Sequence, residues 1–129
     1  MDFRSLAALA AIAALLFGLG LVVVPAQTAA VYGAGESDAW HELSGRCFGT
    51  ALLMYAAALW GLRELTQPDA QRRVAGLLAA ATAVGLIVTL YAVIGGVMNA
   101  AGWSSVALYG FFVLAWVRLA LGRAPTEAV

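Results

Sequence analysis

The sequence has no lysine, a single cysteine, a single histidine and few charges of either sign, with 11% of its 129 residues charged. One cysteine excludes an internal disulfide, a CxxC redox pair and a cysteine-based zinc site. One histidine beside scattered acids is a poor start for a metal centre, so no metal is expected. The 7 cations are all arginines and are balanced by 7 acids, which leaves no clustered basic face for nucleic acid. Glycine-rich phosphate loops, HExxH and GxSxG strings are also missing. A protein without enzymatic activity is expected. Nor is there the alternation of polar and apolar residues that a membrane barrel strand needs.

What remains is hydrocarbon. Hydrophobic residues make up 64% of the chain, against about 45–50% in soluble domains. That composition places the chain among membrane proteins. At this length it is expected to form a single transmembrane domain over 1–129. Abundant Ala and Arg without Lys also suggest a GC-rich bacterial genome.

Four apolar runs predict four transmembrane helices, at about 6–24, 43–62, 74–97 and 104–121. The first and third carry no charge and are long enough to cross about 30 Å of hydrocarbon. The second and fourth each hold one arginine near an end. Arg4 and the small residues at Thr28–Ala30 would also suit a cleaved signal peptide. The apolar core exceeds a usual signal core, so a retained helix is expected. Arg4, Arg63, Arg72, Arg73, Arg118 and Arg123 all fall on one side of these spans, and the positive-inside rule makes that side cytoplasmic. Both termini are then inside, and an acidic exported loop occupies 25–42. The expected home is the bacterial inner membrane. Trp40 and Trp103 fall at the outer boundary, and Trp60 and Trp116 at the inner one, as interfacial anchors do.

Lipid gives helices no hydrophobic reason to associate, so small residues must let backbones approach. Gly45 and Gly49 form such a pair on the second run, and Ala81 with Gly85 on the third. Short connections predict antiparallel neighbours and an up-down four-helix bundle. Within the exported loop, the first half is expected to lie along the membrane surface. Ser37 is expected to cap the second long helix, with Asp38 in its first turn.

Arg46 is the one cation on the wrong side of the charge rule. An intramembrane arginine costs about 2.5–3.5 kcal/mol at a helix centre and less near an end, so something polar should face it. Glu42 lies four residues earlier, and Asn99 and Ser104 are expected at similar depth. Three readings stay open: a structural pin, a pocket for an anionic head group, quinone or carboxylate, and contact with a partner subunit. His41 and Cys47 are weaker candidates. Cys47 is expected to be a small packed side chain.

Pro25 after the first run, Gly45-Arg46 with Gly49, and Leu59-Trp60 with Arg63 stand alongside Gly95-Gly96, Asn99, Gly102-Trp103 and Leu108-Tyr109. In these residues the chain resembles a widespread family of small four-helix bacterial membrane proteins of unassigned function, and more loosely the DoxX-type membrane proteins. The resemblance implies four membrane helices. It also implies that the Gly-Arg pair and the Asn-to-Trp turn belong to one feature. The DoxX likeness implies thiol- or quinone-linked redox work, but a lone cysteine departs from a dithiol mechanism. The expected role is an accessory helical subunit of a larger membrane complex, respiratory or photosynthetic in type. Membrane lipid and other subunits, or further copies of the chain, would be its partners. The alternative is a lipid-, quinone- or small-ligand-binding or redox protein using a pocket at Arg46. No cofactor is expected beyond lipid or quinone.

Overall fold

A computed structural model describes residues 1–122, and Arg123 of the charge count lies outside them. Among the described residues every regular element is helical. They are α1 (Phe3–Val23), α2 (Pro25–Val31), α3 (Ala39–Leu62), α4 (Pro68–Ile94) and α5 (Gly102–Leu121). Three of them, α1, α4 and α5, are long and apolar enough to cross a membrane. The fourth long helix, α3, has Glu42 and Arg46 in its first half.

Helix ends follow local chemistry. Asp2 caps α1 by accepting from the Ser5 amide at 3.0 Å. Pro25 cannot donate an amide and holds Val24 out of the helical region (φ −133°), so α1 stops at Val23. The same ring then opens α2 at a first helical position, where no amide hydrogen is needed. The first half of the expected loop is therefore a short helix. Asp38, not Ser37, caps α3: its carboxylate accepts from the His41 amide at 2.8 Å. Pro68 likewise starts α4 earlier than the apolar run at Val74 implied. That helix closes through Gly95 and Gly96, the latter at φ +74°.

The helices pack as two antiparallel pairs. In the first, α1 runs along α3, and an added Cβ on Gly49 would lie 2.8 Å from the Gly18 carbonyl oxygen and 2.9 Å from Leu21. At that separation only hydrogen fits between the backbones. In the second, α4 runs along α5, with Gly85 under the Tyr109 ring and Gly102 against Val93. The short Arg63–Gln67 connection was expected to make α3 and α4 neighbours along their length. They diverge instead, because each finds its glycine-mediated partner elsewhere.

The pairs meet at one end. There Phe3 and Trp116 pack edge to face, 5.9 Å between centroids, over Leu6, Leu59 and Ala75. Arg4 reaches Glu64 at 3.2 Å, and Arg63 lies 3.1 Å from the same oxygen while covering the Trp60 ring at 3.6 Å. The Arg63 Nε–H is not aimed at that oxygen, so this is an ion pair without a hydrogen bond. The Arg4–Glu64 pair is exposed on both sides, and such pairs are worth little individually. They do gather Arg4 and Arg63 at the core end, with Arg72 and Arg73 starting α4 and Arg118 finishing α5. Arg46 lies toward the opposite end.

Candidate functional site

Away from the core end the two pairs stand apart, leaving a cleft of about 510 Å³. Its floor is Ala10, Ala14 and Phe112, where the core begins. Its walls carry Phe17 and Phe48 from the first pair, and Val88 and Leu108 from the second. Alanines and glycines on the inner faces create the space, since they fill little of the interhelical gap. No charged side chain lines it among the described residues. Polar groups do: Tyr32, Tyr55 and Tyr109 share the wall with Thr28, Thr82, Thr89 and Ser105. The threonine hydroxyls turn back to their own helices, donating to the carbonyls of Val24, Leu78 and Gly85 at 2.9, 2.6 and 2.8 Å.

The roof is a clasp between the pairs. The Asn99 amide donates to the Tyr32 carbonyl at 2.9 Å, and its side-chain nitrogen donates to the Val31 carbonyl at 3.1 Å. Its side-chain oxygen accepts from the Ala101 amide at 2.9 Å. One residue thus holds the end of α2 and the start of α5 together. Gly33 follows Tyr32 at φ +92°, and an added Cβ would lie 3.0 Å from that of Asn99. That backbone conformation favours glycine.

The sequence-derived polar set is dispersed. Asn99 is in the clasp, while Ser104 donates to the Ala101 carbonyl at 2.6 Å within its own helix start. Arg46 is exposed on α3, and no side-chain hydrogen bond or ion pair joins it to Glu42 or Asn99 among the described residues. Its carbonyl accepts from Thr50 at 2.9 Å. His41 Nδ1 lies 2.7 Å from the Asp38 carboxylate, which the His41 backbone and ring together hold below its usual range. Cys47 is exposed, not packed within the helices as expected. Among the described residues no group of three His, Cys, Asp or Glu side chains stands close enough to hold a metal ion.

Sequence reading missed the cleft. In the sequence Tyr55, Thr82, Thr89 and Tyr109 are isolated hydroxyls within apolar runs, with nothing to show that they meet. The available signal was hydroxyl-bearing residues standing inside three different apolar runs, Tyr55 in the second, Thr82 and Thr89 in the third and Tyr109 in the fourth. No family model, curated protein or solved structure matches the chain.

Proposed function

We propose that the chain is a non-catalytic integral protein of the bacterial cytoplasmic membrane, with four spans, and an accessory helical subunit of a larger membrane complex. The observation behind it is the distribution of uncovered apolar surface. On α4 the side chains of Leu77, Val84, Ile87, Tyr91 and Ile94 are between 62% and 80% exposed. On α5 Leu114 and Leu121 are equally bare. Contiguous apolar faces of this extent need lipid or other helices over them. Among the described residues, Phe3, Leu6, Leu59, Phe112 and Trp116 are the large side chains that are buried, so most of the packing surface described points outward.

The fourth span is α3. It lies antiparallel along α1, with Glu64 at the level of Arg4 and Gly45 at the level of Pro25. A helix that matches a spanning helix end for end crosses the same slab, with its polar first turns at the far interface. The arginine-rich core end faces the cytoplasm by the positive-inside rule, which puts the start of α1 and the end of α5 there. This reading also takes the chain as one of the small four-helix family it resembles.

Mild-detergent extraction tests the role. The chain should leave the membrane with other polypeptides, and a respiratory or photosynthetic complex is the first host to examine. Gly110 opens onto empty space on the outer face of α5, so Gly110→Leu should weaken that association without unfolding the chain. Extraction as a lone, stable monomer would refute the proposal. The cleft favours a second reading, ligand binding, taken up next.

A further inference from the structure

We infer that the cleft between the α1–α3 and α4–α5 pairs binds one uncharged, hydrocarbon-bodied molecule through a carbonyl group. Four features of the cleft select that chemistry. Its volume of about 510 Å³ falls in the range of roughly 300–1,000 Å³ that encloses one small ligand. Along α1 it reaches from Ala10 to Leu21, about 16 Å of helix at 1.5 Å per residue, which suits an elongated body.

The lining contains no ionised group to balance a phosphate, carboxylate or ammonium among the described residues. Burying any of these unpaired is strongly unfavourable, so the occupant is neutral. The hydrogen-bond inventory then sets its polar group. Thr28, Thr82 and Thr89 already donate to backbone carbonyls. Tyr32, Tyr109 and Ser105 make no side-chain hydrogen bond to protein among the described residues, and the Thr82 hydroxyl is beside Tyr55. The cleft therefore offers hydroxyl donors, three phenols and Ser105, inside an apolar wall. A plain hydrocarbon would leave those donors unmet at membrane depth, whereas a carbonyl accepts from them.

Access is lateral. Because α3 and α4 diverge, the opening lies between them, where Phe48, Tyr55 and Val88 are exposed at its lip. The Asn99 clasp and Met98 cover the exported end, and the core closes the other. The ligand thus arrives from the bilayer.

Two membrane-soluble sources share this chemistry, an acyl ester and an alkyl-tailed quinone. The test places the full-length chain in nanodiscs of ether-linked lipid, which carry no competing ester carbonyl. Four photoactivatable probes of equal chain length are compared: a methyl ester, a benzoquinone, an alkane and a carboxylate. The ester or the quinone should label the cleft segments 82–89 and 105–112, and whichever binds more tightly identifies the source. Tyr109→Phe should weaken that probe by about two- to tenfold, the worth of one hydrogen bond, and Tyr55→Phe should do the same. Neither change should affect the alkane. Ala13→Phe should fill the cleft and abolish labelling. If that variant fails to fold, the two Phe variants still decide, because they preserve ring volume. The inference is overturned by labelling confined to outer-face residues such as Leu77 and Ile87, by carbonyl probes no tighter than the alkane, or by preference for the carboxylate.

Discussion

Asn99→Ala should loosen the roof of the cleft while leaving its reporter in place. The side chain makes two hydrogen bonds, to the Val31 carbonyl at 3.1 Å and from the Ala101 amide at 2.9 Å. A hydrogen bond contributes about 0.5–1.5 kcal/mol net. Asn99 is exposed, so water replaces part of that, and the pair together should be worth about 1–2 kcal/mol. The backbone bond from residue 99 to the Tyr32 carbonyl, 2.9 Å long, survives the substitution. Its hydrogen exchange therefore reports clasp opening in both proteins. After correction for the intrinsic rate of alanine, exchange at residue 99 should quicken by about 5- to 30-fold.

Asn99→Asp keeps the acceptor for Ala101 but sets a carboxylate oxygen against the Val31 carbonyl, so it should loosen the clasp further. Gly33→Ala attacks the same contact from the other side, through its φ of +92° and the 3.0 Å approach to Asn99. The double variant should then fall short of the sum of the singles, because both break one contact. Unchanged exchange at residue 99 in Asn99→Ala, or strict additivity with Gly33→Ala, would show that the clasp does not hold the pairs together.

Other expectations follow from single contacts. The Asp38 carboxylate sits below its ordinary pKa of 3.8 because His41 donates to it. Its capping contribution is present above that value and lost as pH falls through the lower folded value. Amide exchange at His41 should therefore rise on strong acidification, and Asp38→Asn should remove that pH dependence while retaining a cap. Gly49→Ala should force α1 and α3 apart, because its Cβ would meet the Gly18 carbonyl at 2.8 Å, whereas Gly110→Ala meets nothing within 4 Å. Thermal unfolding in detergent should show the first destabilised and the second stabilised by about 0.5–1 kcal/mol, the helix-interior difference between the residues. Trp116 is fully buried, and its indole nitrogen has no hydrogen-bond partner among the described residues. Trp116→Ala should cost about 3 kcal/mol, while Trp116→Phe, which removes the unpaired donor, should be close to neutral in the same unfolding measurement.

The long helices were legible because their causes are local. Uncharged runs, Pro25 and Pro68 at helix starts and Gly95-Gly96 at an end act within a turn or two of themselves. The errors were local too. Ser37 and Asp38 are both good caps, and only the observed bond to the His41 amide separates them. Glu42 and Arg46 have the spacing of a helical ion pair, yet an exposed pair gains so little that spacing alone does not bring the groups together. Asn99 was expected to face Arg46, and the structure places it instead against the end of α2. Its partners, Val31 and Tyr32, offer backbone carbonyls, which every residue has and no sequence pattern marks.

By itself the sequence determined the membrane class, the existence of the long helices and the grouping of arginines toward one end, because composition, run length and charge are properties of the chain taken in order. Tertiary structure alone decided which helices pair. The choice rests on which glycine meets which backbone, Gly49 on Gly18 and Gly85 on Tyr109, and small residues are too common along the chain to specify that match. The cleft is a consequence of the same choice. Once α3 turns to α1 and α4 to α5, Tyr55, Thr82 and Tyr109 line one space that neither pair fills.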